Sequence, residues 1–162
     1  MFKYRVDTLI SREDIAIRVK ELANEINKDF EGEEVLFVGL LRGSVVFLAD
    51  LVREIEVEAT MDFMTVSSYG NSTESSRDVK IIKDLEEDIR GRNVIIVEDI
   101  VDTGFTLRKV EDILMTREPK KLKIVTLLDK PERREVEIDV EYIGFKIQDD
   151  FVVGYGIDFA QK

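Results

Sequence analysis

Three short runs, "VLFVGLL" (Val35 to Leu41), "VIIV" (Val94 to Val97) and "LKIVTLLD" (Leu122 to Asp129), are nearly continuous in branched apolar residues instead of alternating with polar ones. Strands of this kind must be covered on both faces, which is the condition of a parallel sheet sandwiched between helices. Segments of helical spacing lie between them. Ser11 to Lys28 carries Ile15, Val19, Leu22, Ala23 and Ile26 on one stripe, with Ser11 as N-cap; Val45 to Val52 follows the first run, and Leu107 to Leu114, with Val110 and Ile113, follows the second. Further strands are expected at Ala59 to Tyr69, Val79 to Ile82, Val140 to Phe145 and Phe151 to Tyr155, with a polar, mobile loop over Gly70 to Asp78. The fold class is therefore α/β, a mostly parallel central sheet flanked by helices. At 162 residues and 44% hydrophobic content, one domain spanning 1–162 is expected.

Charge and missing residue types narrow the chemistry. The net charge of -11 argues against a nucleic-acid-binding surface, so an anionic ligand must be held locally. There is no cysteine for a thiolate zinc site and no histidine for general base work, which leaves acid-base and metal chemistry to carboxylates. The longest apolar stretch, Val35 to Val52, is broken by Arg42, Gly43, Ser44 and Asp50, and "MFKYRVDTLISRED" has no apolar centre. No membrane association is expected, and the chain reads as cytoplasmic.

In an open α/β sheet, ligands sit beyond the carboxyl ends of the strands. There the chain reads "VIIVEDIVDTGFTL", Val94 to Leu107. Asp99 to Thr103 is expected in the loop that leaves the strand, with Thr103 to Thr106 opening the next helix. Helix N-H groups, a close backbone approach at Gly104 and the hydroxyls of Thr103 and Thr106 could hold a phosphate without any Lys or Arg. Glu98 and Asp99 could bind paired sugar hydroxyls or position Mg2+, which prefers oxygen and shares it with phosphate. Asp102, in the same cleft, could accept a proton from a ring nitrogen. Taken singly, these features have plainer readings: an acidic strand-to-helix turn with a cap, a solvated Lys130 in a charged turn, a core Phe151, a surface Asp158, a turn residue at Arg42.

The stretch resembles the phosphoribosyl diphosphate signature of the type I phosphoribosyltransferases, in detail the hypoxanthine-guanine branch. "VGLLRGSVVFLADL" (Val38 to Leu51) is similar to that family's diphosphate loop and helix, and "SSYG" (Ser67 to Gly70) to the start of its mobile catalytic loop, including Ser68 and Tyr69. "LLDKPERR" (Leu127 to Arg134) is similar to its purine-reading segment, and "YIGFKIQDDFVVGYGID" (Tyr142 to Asp158) to its purine hood. The resemblance implies a small purine-covering hood formed by about 1–10 and 130–162. It implies that Glu98 and Asp99 hold the ribose hydroxyls and a first Mg2+, that Asp102 is the base near purine N7, and that Asp102, Thr103, Gly104, Phe105 and Thr106 cradle the 5'-phosphate. Lys130 would donate to the purine 6-oxo group, Phe151 would stack on the base, the Val152 backbone would pair with its edge, and Asp158 would border this site and help bind a second Mg2+. Leu41, Arg42 and Gly43 would bind diphosphate through backbone N-H groups, with a non-proline cis peptide at Leu41-Arg42.

The implied reaction is transfer of 5-phosphoribosyl from phosphoribosyl diphosphate to hypoxanthine or guanine, in a homodimer or homotetramer, with no nucleic-acid partner. Because a lysine donates and cannot accept, adenine should be refused. Two departures stand out: Arg42 replaces a lysine common in relatives, and "FAQK" (Phe159 to Lys162) does not supply the family's diphosphate-contacting arginine. The alternatives are xanthine transfer, or a nucleotide-sensing regulator that binds RNA through Arg108, Lys109, Arg117, Lys120, Lys121 and Lys123.

Overall fold

The computed structural model describes residues 5–68 and 78–157. Its elements run α1 (Arg12–Asp29), β1 (Glu34–Leu40), α2 (Val45–Val52), β2 (Glu58–Ser68), β3 (Val79–Lys83), β4 (Asn93–Val101), α3 (Phe105–Met115), β5 (Lys121–Asp129), a single 3-10 turn (Pro131–Arg133) and β6 (Tyr142–Lys146). The strands form one six-stranded sheet in the order β3-β2-β1-β4-β5-β6. Only the β2-β3 pair is antiparallel; the other four pairs are parallel.

The continuous apolar runs divide their residues between two cores. On one face Val35, Phe37, Ile95, Val97, Val125 and Leu127 pack with Leu22, Ala23 and Ile26 of α1 and with Phe47, Leu48 and Leu51 of α2. On the other, Leu36, Val38, Val94, Ile96 and Ile124 meet Leu107, Val110 and Leu114 of α3. The split follows from the two-residue period of a strand, and each fully buried side chain stabilises the fold by about 1.5–3 kcal/mol. α1 begins as its sequence predicts, with the Ser11 hydroxyl accepting the Asp14 N-H at 3.0 Å.

Three expectations change. β4 runs on past Glu98: Ile100 and Val101 continue the ladder with Leu128 and Asp129 of β5, so Asp99, Ile100 and Val101 lie in the strand and not in the loop expected over Asp99 to Thr103. Cross-strand pairing here overrides the low strand preference of acidic residues. Phe151 to Tyr155 is not a strand either. Gly154, Tyr155 and Gly156 have φ of +97°, +50° and +83°, which turns the chain sharply and leaves a single bridge between Gly154 and Ile157. Finally, Ser68 closes β2 and does not open a loop; Tyr69 and Asp158 lie outside the described residues.

Candidate active site

β1 stops short beside β4: the last pair between them is Gly39 with Val97, so the end of β4 extends past its neighbour and is open on that side. There the N-H groups of Asp99 and Ile100 are taken by the carboxylates of Glu98 and Asp99, at 3.2 and 2.8 Å. Burial, followed by the neighbouring Asp99 carboxylate, raises the Glu98 pKa well above its ordinary value. Such an acid favours a bound proton or a cation.

The β1-α2 loop closes against this carboxylate pair. Leu41-Arg42 is a cis peptide, as the sequence reading expected. The Leu41 N-H donates to the Met64 carbonyl at 2.9 Å, and the buried Ser44 hydroxyl donates to the Leu40 carbonyl at 2.7 Å, which fixes both ends of the loop. Gly43 lies so close to Asp99 that a Cβ built there would collide with its carboxylate. The loop and the acid pair therefore form one cleft.

On the other side, residues 129–136 brace the turn between β4 and α3. The Lys130 N-H donates to the Val101 carbonyl at 2.9 Å, and the Glu135 N-H to the Thr103 carbonyl at 3.0 Å. The Arg134 guanidinium pairs with the buried Asp129 and donates to the Asp102 carbonyl at 3.2 Å. Gly104, at φ +91°, sits under the Arg134 side chain, where an added Cβ would come within 3.1 Å. α3 then starts with Phe105 and Thr106, with no side-chain cap and no acid in its first turn. A helix end of this kind can receive an anion.

The Asp102 carboxylate accepts from Arg133 Nε at 2.9 Å, and a second guanidinium nitrogen of Arg133 lies 3.7 Å from Asp149. Asp149 in turn lies 3.7 Å from Lys130 Nζ. Lys130 is 8% exposed, so it is no solvated surface lysine, and Phe151 is 78% exposed, so it is no core residue. The structure thus links Asp102 to Lys130 through Arg133 and Asp149. Alone, "DKPERR" reads as a charged turn, and the resemblance marks only Lys130 in it; Asp129, Arg133, Arg134 and Asp149 go unmarked, their only signal an arginine doublet four residues after an acid.

Phe151 and Val152 line a cavity of about 970 Å3 together with Val6, Leu9 and Ile10, and Asp102 and Lys130 are not among its lining residues. The basic residues around α3 do not make an open cationic face. Arg117 forks onto Asp84 with both contacts at 2.8 Å, Lys109 pairs with Asp78, Lys120 with Glu33 and Arg108 with Asp112, while Lys121 and Lys123 lie over the Phe30 ring. Among the described residues no helix is long and apolar enough to cross a membrane.

A phosphoribosyl transferase domain model matches residues 6–160. The hypoxanthine phosphoribosyltransferase of Salmonella typhimurium is 56% identical over 162 residues, 99% of this chain and 91% of that protein. The hypoxanthine-guanine phosphoribosyltransferase of Bacillus subtilis is 47% identical, covering 100% of this chain and 91% of the relative. A crystal structure of a hypoxanthine-guanine phosphoribosyltransferase from Bacillus anthracis superposes with a TM-score of 0.94 at 53% identity, covering 98% of this chain and 94% of that one.

Proposed function

Since the chain belongs to the phosphoribosyl transferase family, we propose that it is a purine salvage enzyme that moves 5-phosphoribosyl from phosphoribosyl diphosphate to hypoxanthine or guanine, giving IMP or GMP and diphosphate. The observation that carries this reading is the contact of Gly43 with the Asp99 carboxylate, which joins a ribose-binding strand end to a loop of backbone donors.

The turn Asp102 to Thr106 and the start of α3 would hold the 5'-phosphate, with Gly104, left-handed at φ +91°, turning the chain into the helix. Glu98 and Asp99 hold the ribose hydroxyls. Lys130 donates to the 6-oxo group, for which the 6-amino group of adenine is no substitute. As the base attacks the ribose carbon it loses a ring proton, and Asp102 accepts it near N7. The Leu41 N-H is already spent on the Met64 carbonyl, so of the expected three it is the N-H groups of Arg42 and Gly43 that would receive the negative charge developing on the departing diphosphate.

The adjacent carboxylates of Glu98 and Asp99 fit Mg2+. No cluster of three or more acidic ligands occurs among the described residues, and Mg2+ characteristically takes one or two carboxylates and completes its shell from substrate and water. When bound, the ion would neutralise charge on the phosphoribosyl diphosphate. Asp158 would contribute to a second ion, and Tyr69, next in sequence after the last residue of β2, would belong to the loop that excludes water from the cleft. Residues Arg5 to Ile10 and Asp150 to Ile157, which line one cavity, would form a hood for the purine within a single domain, with Phe151 stacking and the Val152 backbone pairing. The exposed Met61 and Ile82, on the sheet face shared with α1 and α2, support assembly as a homodimer or homotetramer; we place the enzyme in the cytoplasm.

The test is nucleotide formation from phosphoribosyl diphosphate with hypoxanthine, guanine, xanthine and adenine in competition, with and without Mg2+. Magnesium-dependent use of hypoxanthine or guanine, with adenine refused, is the expected result. Preference for adenine would overturn the role given to Lys130, whereas preference for xanthine, also a 6-oxopurine, would keep that role and change only the base assigned.

A further inference from the structure

We propose that the hydrogen bond from the Tyr155 hydroxyl to the Asp50 carboxylate is a positioning contact that seats the purine-covering segment on α2 and so ties purine binding to the diphosphate loop at the head of that helix. The inference rests on the phosphoribosyl transfer reading above.

The segment 150–157 belongs to no strand of the sheet. The N-H groups of Asp150 and Ile157 donate locally, to Gln148 and Gly154. Its placement is therefore governed by side chains. Tyr155 stands at φ +50° between two glycines that are also left-handed, a conformation uncommon for a residue with a Cβ, and this throws its ring across to α2. There its hydroxyl meets Asp50, little more than one turn into the helix from Val45. Burial and the Asp50 carboxylate both raise the Tyr155 pKa, so the hydroxyl remains a donor throughout the physiological range.

Gly156 completes the fit. A Cβ there would come within 2.8 Å of Val46 and 3.6 Å of the Gly43 carbonyl, so the segment lies directly on the first turn of α2 and on the loop that precedes it. One contact thus spans the two places where the reaction needs donors: the loop Leu41 to Gly43 and the segment that carries Phe151 and Val152. A segment held in its binding position loses less freedom when the purine arrives, and its tether should appear as affinity for the purine.

The experiment compares the full chain with Tyr155→Phe, Asp50→Asn and Asp50→Leu, measuring KM for hypoxanthine, kcat, affinity for phosphoribosyl diphosphate and thermal stability. Tyr155→Phe keeps the ring and should raise the hypoxanthine KM about tenfold, the effect expected from one hydrogen bond to a charged group, with kcat and donor affinity within about twofold. Asp50→Leu should reproduce this, Asp50→Asn should recover most of the affinity because the amide oxygen still accepts, and the double variant Tyr155→Phe/Asp50→Leu should be no worse than either single change. An unchanged KM in Tyr155→Phe would overturn the proposal. A lower kcat at unchanged KM with a lower melting temperature would also overturn it, since a contact that only supports folding reduces the active fraction. The unaltered chain separates the two claims: if it makes no nucleotide, the transfer reading fails; if it does and the variants match it, only the positioning role fails.

Discussion

The two halves of the cleft are built by different means. The half we assign to the phosphoribosyl group rests mainly on backbone: β4 lies mid-sheet, its ladder with β5 runs through Glu98 to Val101, and the turn that follows is bonded at Thr103 and covered at Gly104. The purine half is side chain: Lys130 pairs with Asp149, Tyr155 with Asp50, and Phe151 stands 78% exposed. A phosphate is the same in every substrate and can be met by a rigid cradle, whereas reading one base among several requires individual donors that can be exchanged. Substitutions in the first half should therefore damage the reaction as a whole, and those in the second should change which base is used and how tightly.

The largest effect is expected where the halves meet. Asp102→Asn keeps the shape of the turn and removes the proton acceptor, so kcat should fall about a hundred- to ten-thousandfold while donor affinity changes little. Equal losses in turnover and donor binding would make Asp102 part of the cradle alone. Next, Gly43→Ala drives a methyl group into the Asp99 carboxylate and should lower kcat/KM for phosphoribosyl diphosphate about a hundredfold, the range of an overpacked site. Lys130→Met should raise the hypoxanthine KM about thirtyfold and narrow the discrimination against adenine, with donor KM unaffected; a matching rise in donor KM would blur the division between the halves. Gly154→Ala, at φ +97° in open space, costs about 1–2 kcal/mol of backbone strain, so a loss of about fivefold and at most about thirtyfold, confined to the purine, is expected.

The smallest effect concerns pH. Glu98 has a folded pKa raised above the ordinary value of 4.5, so the folded chain keeps a proton that the unfolded chain gives up. Stability should fall as pH rises from about 4.5 through the folded value, and binding of Mg2+ with the donor should release that proton. Melting temperatures of the parent and Glu98→Gln across this window check the sign: the parent should lose more than the glutamine variant as pH rises.

The same division explains what could be read from sequence. β1, β4 and β5 announce themselves because strands buried on both faces must be continuously apolar, and the acid-rich turn is contiguous in the chain. The extension of β4 through Asp99 to Val101 was not legible, since it depends on partners in β5 thirty residues later. Arg133, Arg134 and Asp149 were hidden for a similar reason: a charged turn looks the same in sequence whether it faces solvent or braces a neighbouring loop. "FVVGY" misled by composition, because its apolar residues cover a cavity while two glycines and a tyrosine bend the backbone out of strand geometry. Lys130 and Phe151 take their roles from the resemblance; the burial of one and the exposure of the other, opposite to the plain readings of a solvated lysine and a core phenylalanine, could not be read from the residues themselves.

The central claim, phosphoribosyl transfer to a 6-oxopurine, is tested most directly by product analysis of the unaltered chain with phosphoribosyl diphosphate, Mg2+ and hypoxanthine. The account predicts IMP and diphosphate in equal amounts, with neither formed when Mg2+ is withheld. Diphosphate released without IMP would mean that water is the acceptor, and the absence of both products would contradict the assignment.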